Sequence, residues 1–158
     1  MSSDELIEQW LYSAQVSMSV HYEAARMFER RHYWLGVPAL ILSTAVGTTV
    51  FATLKKDLEL SAQLATGLAS LSAGILTALQ TFMGFSNRAE KHKAAGAEYA
   101  SLVRLIHEQL AFPSGKPDEL KKFISNLRTR FDTLSKESPS LRDRLIKTQL
   151  HIIDEQRN

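Results

Sequence analysis

Gln63, Thr66, Ser70, Ala73, Thr77, Gln80, Gly84 and Asn87 follow one another at steps of three and four residues, and all are small or polar. That spacing places them on one face of a helix. The run that carries them, Leu60 to Asn87, is 28 residues long and contains no Asp, Glu, Lys, Arg or His. About 20 helical residues cross the hydrocarbon core of a bilayer. The other faces carry Leu64, Leu68, Leu71, Ile75, Leu76, Leu79 and Phe82. Amides and hydroxyls in such a run can bond across helices, at roughly 1 kcal/mol each, or line water. Gln63, Thr66, Ser70, Thr77 and Gln80 are therefore candidate pore-lining residues, with plain helix packing as the competing reading. As a lining they predict weak ion selectivity, because selective pores use rings of charge or ordered carbonyls.

Other chemistry is hard to find. The chain has no Walker loop, no GxGxxG, no HExxH and no GxSxG. His92 lies between Lys91 and Lys93 with no acidic partner at helical spacing, which reads as a satisfied or solvated histidine rather than a ligand or base. His21 and Glu23 do not share a helical face, and His107 and His151 have no ligand cluster around them. With no cysteine, neither disulfides nor thiolate metal sites can form. No catalytic residue, cofactor or metal is expected, and the chain does not read as an enzyme. A net charge of +2, from 19 basic and 17 acidic residues, does not call for nucleic acid. Arg26, Arg30, Arg31, Arg88, Lys91 and Lys93 could attract a phosphate. The plainer reading anchors them at an anionic leaflet.

These residues need helices to hold them. Gly and Pro are few, 7 and 4, and no β-type alternation occurs, so the fold class is all-α. Ser2-Ser3-Asp4-Glu5 has the form of a capping box and opens a helix expected over 4–33. Its face is Ile7, Trp10, Ala14, Ser17, His21, Ala24 and Phe28. The acidic start, Met1 to Glu8, is unlike a signal peptide. Arg30, Arg31, Tyr33 and Trp34 then precede a second uncharged run, 34–54, whose 21 residues again match one bilayer. Pro38 predicts a kink there. Ala39, Ser43 and Gly47 form a small-xxx-small ladder for close helix packing.

Lys55-Lys56-Asp57-Leu58-Glu59 is short and carries no net charge, so the spans 34–54 and 60–85 should form an antiparallel hairpin. Both outer flanks are basic, with Arg30, Arg31 and Trp34 before the first span and Arg88, Lys91 and Lys93 after the second. These six residues are the expected interface anchors, and by the positive-inside rule both termini are cytoplasmic. Nothing in 86–111 stops the second helix. Ala89, His92, Gly96, Tyr99, Val103, Ile106 and Leu110 keep its spacing, so one unbroken helix is expected from Leu60 to Ala111. Pro113-Ser114-Gly115-Lys116-Pro117 ends it. Helices over 117–156 complete a small cytoplasmic bundle, the first with Leu120, Phe123, Ile124, Leu127, Phe131 and Leu134 on one face. Ser138-Pro139 is expected to start the second.

Gly36-Val37-Pro38 with Ile41 to Thr48, then Ala73 to Phe82, then Arg88-Ala89-Glu90-Lys91-His92 and Tyr99, resemble the SLATT domain. This is a two-transmembrane effector module associated with bacterial nucleotide-signalling conflict systems. The resemblance spans about Trp10 to Leu134, in a chain read as a single domain over 1–158. It implies an effector of anti-phage immunity that assembles as a homo-oligomer in the bacterial inner membrane. Such an effector opens a pore when a partner senses infection, and arrests the host cell in abortive infection. It also implies a separately encoded sensor or nucleotide-producing protein, because no sensor domain is fused here. One hairpin is too small to enclose a channel, so a pore needs a ring of protomers. Two other readings compete: a non-conducting membrane scaffold that recruits partners, and a soluble bundle with the uncharged helices as its core.

Overall fold

The computed structural model describes residues 3–53, 59–113, 116–141 and 143–157. Ser2 of the capping box, Leu54 at the end of the first apolar run, Lys55 to Leu58 of the connection, and Ser114 and Gly115 of the breaker lie outside the described residues. The order is α1 (Ser3–Thr53), α2 (Leu60–Met83), α3 (Phe85–Ala111), α4 (Pro117–Glu137) and α5 (Asp143–Arg157). The fold is all-α, with no strand among the described residues.

Helix α1 begins with Asp4 and Glu5 in its first turn, where carboxylates favour the positive end of the helix dipole. It runs on through Pro38 without interruption. The ring removes one backbone donor there, and the helix continues on either side. Three hydroxyls beyond it bond back to their own helix: Thr44 to the carbonyl of Leu40 (2.8 Å), Thr48 to Thr44 (2.6 Å) and Thr49 to Ala45 (2.8 Å). Such bonds let threonine sit in an apolar helix without an unsatisfied donor.

The expected unbroken helix from Leu60 to Ala111 is interrupted at Gly84. Its φ of 55° and ψ of 38° are left-handed, and its N–H donates to the carbonyl of Gln80 at 3.3 Å. Glycine reaches this conformation without the steric cost that a Cβ imposes. The Gly84 carbonyl then accepts from Arg88 N–H at 3.0 Å, which starts α3. A second correction concerns Ser138-Pro139. Ser138 is the C-cap of α4, its N–H bonded to the carbonyl of Leu134, and α5 starts only at Asp143. A residue before proline is pushed out of the helical region, and Ser138 sits at ψ 142°.

The chain divides into two compact units. The first comprises Met1–Arg26 with Ala89–Asn158, and the second Met27–Arg88. In the first, Ile7 and Ala14 of α1, Tyr99, Leu102 and Ile106 of α3, and Leu127 of α4 form the core. The anticipated faces are the ones used: Ile7, Ala14, His21 and Ala24 are buried, as are Ala89, His92, Gly96, Tyr99 and Ile106. Buried Gly96 lets Tyr22 lie close, since a Cβ there would be 3.2 Å from the tyrosine ring. In the second unit Phe28 of α1 stacks on buried Phe85, ring centroids 6.3 Å apart.

Candidate functional site

The second unit holds most of the uncharged sequence, and little of it is covered. Of the most apolar 18-residue stretch in Ser3–Phe51, 6% is buried, and in Leu60–Ala111, 11%. Both helices are long and apolar enough to cross a membrane. A core helix of a soluble bundle is mostly buried, and these two are not. Leu40, Ile41, Phe51, Leu64, Leu68, Leu71 and Phe82 are all exposed.

The five stripe residues fall into different surroundings. Gln80 is half-buried, and its amide nitrogen lies 3.0 Å from Nδ1 and 3.3 Å from Nε2 of His32 on α1. It reaches that position over Gly36, where an added Cβ would stand 2.8 Å from the same nitrogen. Thr66 and Thr77 donate to the carbonyls of Ala62 (2.8 Å) and Ala73 (2.9 Å) on their own helix. Their hydroxyl protons are therefore engaged, leaving oxygen lone pairs to act on anything alongside. Gln63 and Ser70 are exposed. Ser70 borders a shallow groove on α2 together with Gly67, Leu71, Gly74, Ile75 and Ala78. At both glycines a Cβ would meet nothing within 4 Å. This groove is a second small-residue face, one position round from the stripe, and its sequence signal is Gly67-xx-Ser70-xxx-Gly74-xxx-Ala78.

Of the small ladder on α1, Ala39 is buried, Ser43 is exposed, and Gly47 has open space where its Cβ would be. Among the described glycines of this unit, Gly36, which lies outside that ladder, is the one with a side chain close to where its Cβ would be. The residues expected at a membrane interface, Arg30, Arg31, Trp34, Arg88, Lys91 and Lys93, are all exposed. Arg31 and Arg88 each place a guanidinium carbon 6.0 Å from the centre of the Phe28 ring, within reach of the ring quadrupole.

The first unit contains a contact that sequence reasoning missed. His21 of α1 and His92 of α3 meet with their Nδ1 atoms 3.0 Å apart, both side chains buried. Tyr99 stacks on His21 at 5.6 Å and 17°, and its ring meets Phe131 of α4 edge-on at 5.7 Å. Burial, and secondarily the charge of His92, push the pKa of His21 down to about 4, and burial lowers that of His92. The histidines are 71 residues apart, so no local spacing announces the pair. The same unit has a cavity of about 560 Å³ bordered by Glu8, Tyr12, Gln15 and Ser19 of α1, Leu110 of α3 and Ile153 of α5. His107 is exposed, and His151 is exposed and 3.5 Å from Glu155. Among the described residues no group of three or more His, Cys, Asp or Glu is gathered as metal ligands would be.

Compared with known proteins, the chain matches no family model, no curated protein and no solved structure.

Proposed function

We propose that this chain is a SLATT-like membrane effector of a bacterial anti-phage or conflict system. It oligomerises in the inner membrane, with both termini cytoplasmic, and forms a pore that depolarises the cell and arrests it. The observation that carries this reading is the pair of long apolar helices that the chain itself leaves uncovered, 6% and 11% buried over their most apolar stretches. Surface of that kind is covered by lipid or by further protein. Two features add to it. Exposed polar positions, Gln63, Ser70 and Thr77, interrupt the apolar surface of α2. Beside them the groove at Gly67, Ser70, Gly74 and Ala78 admits close approach of another helix. A ring of such protomers, with a separately encoded sensor as trigger, gives a pore lined by uncharged groups. With no charged group in that lining, the pore discriminates weakly between ions.

The test is membrane potential, read with a voltage-sensitive dye in bacteria expressing the chain. At high expression, where assembly no longer needs the trigger, wild type should collapse the potential, and Ser70→Leu/Thr77→Leu should insert equally well and leave it intact. An equal collapse in the variant removes these residues from any lining.

One set of contacts favours a second reading, a non-conducting membrane-anchored scaffold. Gln80 is engaged by His32, and two of the stripe's hydroxyls by their own backbone. A scaffold predicts no ion leak at any level of expression.

A further inference from the structure

His21 and His92 meet where three helices of the first unit converge: their own α1 and α3, and α4 through the Tyr99–Phe131 ring contact. At 3.0 Å, two Nδ1 atoms share a single proton between them. One ring must carry hydrogen on Nδ1 and donate, while the other leaves Nδ1 bare and accepts. A neutral pair satisfies this, and so does a pair holding one extra proton. A pair with both rings charged does not. Two N–H groups then face each other with no acceptor between them, and two positive charges are confined in a buried space.

We infer that the His21–His92 contact is a proton-operated latch, which holds α1 against α3 within the first unit when at least one ring is neutral and releases them when both are charged. The latch closes the last turns of α1 and the first turns of α3 that belong to this unit, since His21 precedes Arg26 and His92 follows Ala89.

The charged groups on the neighbouring elements are exposed or paired with one another. On α1, Glu23 is paired with Arg26 at 3.5 Å, and Tyr22 lies against Gly96. On α3, Glu90, Lys91 and Lys93 are exposed, and Tyr99 contributes a stacked ring. From α4 it is Phe131, an uncharged ring, that reaches Tyr99, while Arg128 and Asp132 are exposed and paired with each other at 3.8 Å. Burial and the neighbouring imidazole lower the pKa of His21, and burial lowers that of His92. Both causes act against the second charge, so acid works on the contact itself.

The absence of cysteine makes the test direct. Arg26→Cys/Lys93→Cys places spin labels on exposed positions of α1 and α3 in the full chain, held in nanodiscs. The distance distribution measured by pulsed electron spin resonance should be single and narrow at pH 7.5, and longer and broader at pH 3.0, below the pKa of about 4 of His21. The same labels in a His21→Phe/His92→Met background should give one distribution at both pH values. An unchanged distribution in the histidine protein, or an equal change in the background lacking both rings, would overturn the latch. A second measurement needs no variant: nitrogen NMR of histidine-labelled wild type at pH 7.5. The two buried rings should differ, one with a protonated and one with a bare Nδ1. Two rings of the same form, both bare or both protonated at Nδ1, would equally sink it.

Discussion

Gln80 sits where a glycine on α1 leaves room for its amide. The room comes from Gly36, and the partner is the ring of His32. Replacing Gly36 by Ala puts a methyl group 2.8 Å from the amide nitrogen, so the flexible end of Gln80 must swing away from His32. A side-chain bond between membrane helices averages about 0.6 kcal/mol and reaches about 1.7. A double-mutant cycle of Gln80→Leu and His32→Phe, read by unfolding in mixed micelles, should return a coupling within that range. Gly36→Ala should abolish the coupling. A coupling of zero in the wild-type background would mean that the two side chains are neighbours only. The buried histidines call for a different measurement. The folded pKa of His21, about 4, lies below the ordinary value of 6.5, so between these pH values the unfolded chain binds more protons than the folded one. Stability is therefore complete above about pH 6.5, falls as pH drops from there, and levels off below about pH 4. Thermal unfolding followed at pH 7.5, 5.5 and 4.5 should show this fall, and His21→Phe should flatten the profile.

At the scale of the helix, the break at Gly84 decides more than any cap. A left-handed φ costs an L-residue about 1–2 kcal/mol. Gly84→Ala should lower stability by that amount or drive α2 and α3 into one continuous helix, and amide protection across Met83–Arg88 separates the two results. The break was not legible because Gly67 and Gly74 lie in the same uncharged run and are ordinary helical residues. Glycine alone does not say which of three positions will turn. The packed faces were legible, since α4 repeats Leu120, Phe123, Ile124, Leu127, Phe131 and Leu134 at helical spacing and the chain buries that side. Contacts between distant residues were not: Gln80 meets His32 across 48 positions and His92 meets His21 across 71. Periodicity locates a face and is silent about its partner. Leu127, fully buried at the α4 contact, sets the strength of that packing. Leu127→Ala should cost about 2–5 kcal/mol, measured as denaturant unfolding of the full chain. A cost below about 1 kcal/mol would mean that α4 is held mainly elsewhere.

At the scale of the whole chain, the sign and place of the charges carry the topology proposed above. Arg30 and Arg31 precede the uncharged part of α1, and Arg88, Lys91 and Lys93 follow the uncharged part of α2. Between the two helices, Lys55 and Lys56 are offset by Asp57 and Glu59. Basic residues near the ends of a span are retained on the cytoplasmic side, whereas acidic residues contribute little to orientation. On this count five basic side chains on the outer flanks oppose two in the connection, and both flanks are drawn to the same side. Single-cysteine variants test this without background, because the chain has no cysteine of its own. Lys56→Cys should react with a membrane-impermeant maleimide in intact cells, while Lys93→Cys and Ser125→Cys, both at exposed positions, should react only after lysis. The opposite pattern would invert the topology and place both termini outside. Equal reaction of all three only after lysis would leave the apolar helices on the inner side of the membrane, uncrossed. In that case their uncovered surface must be buried against protein, and the pore reading falls with the topology.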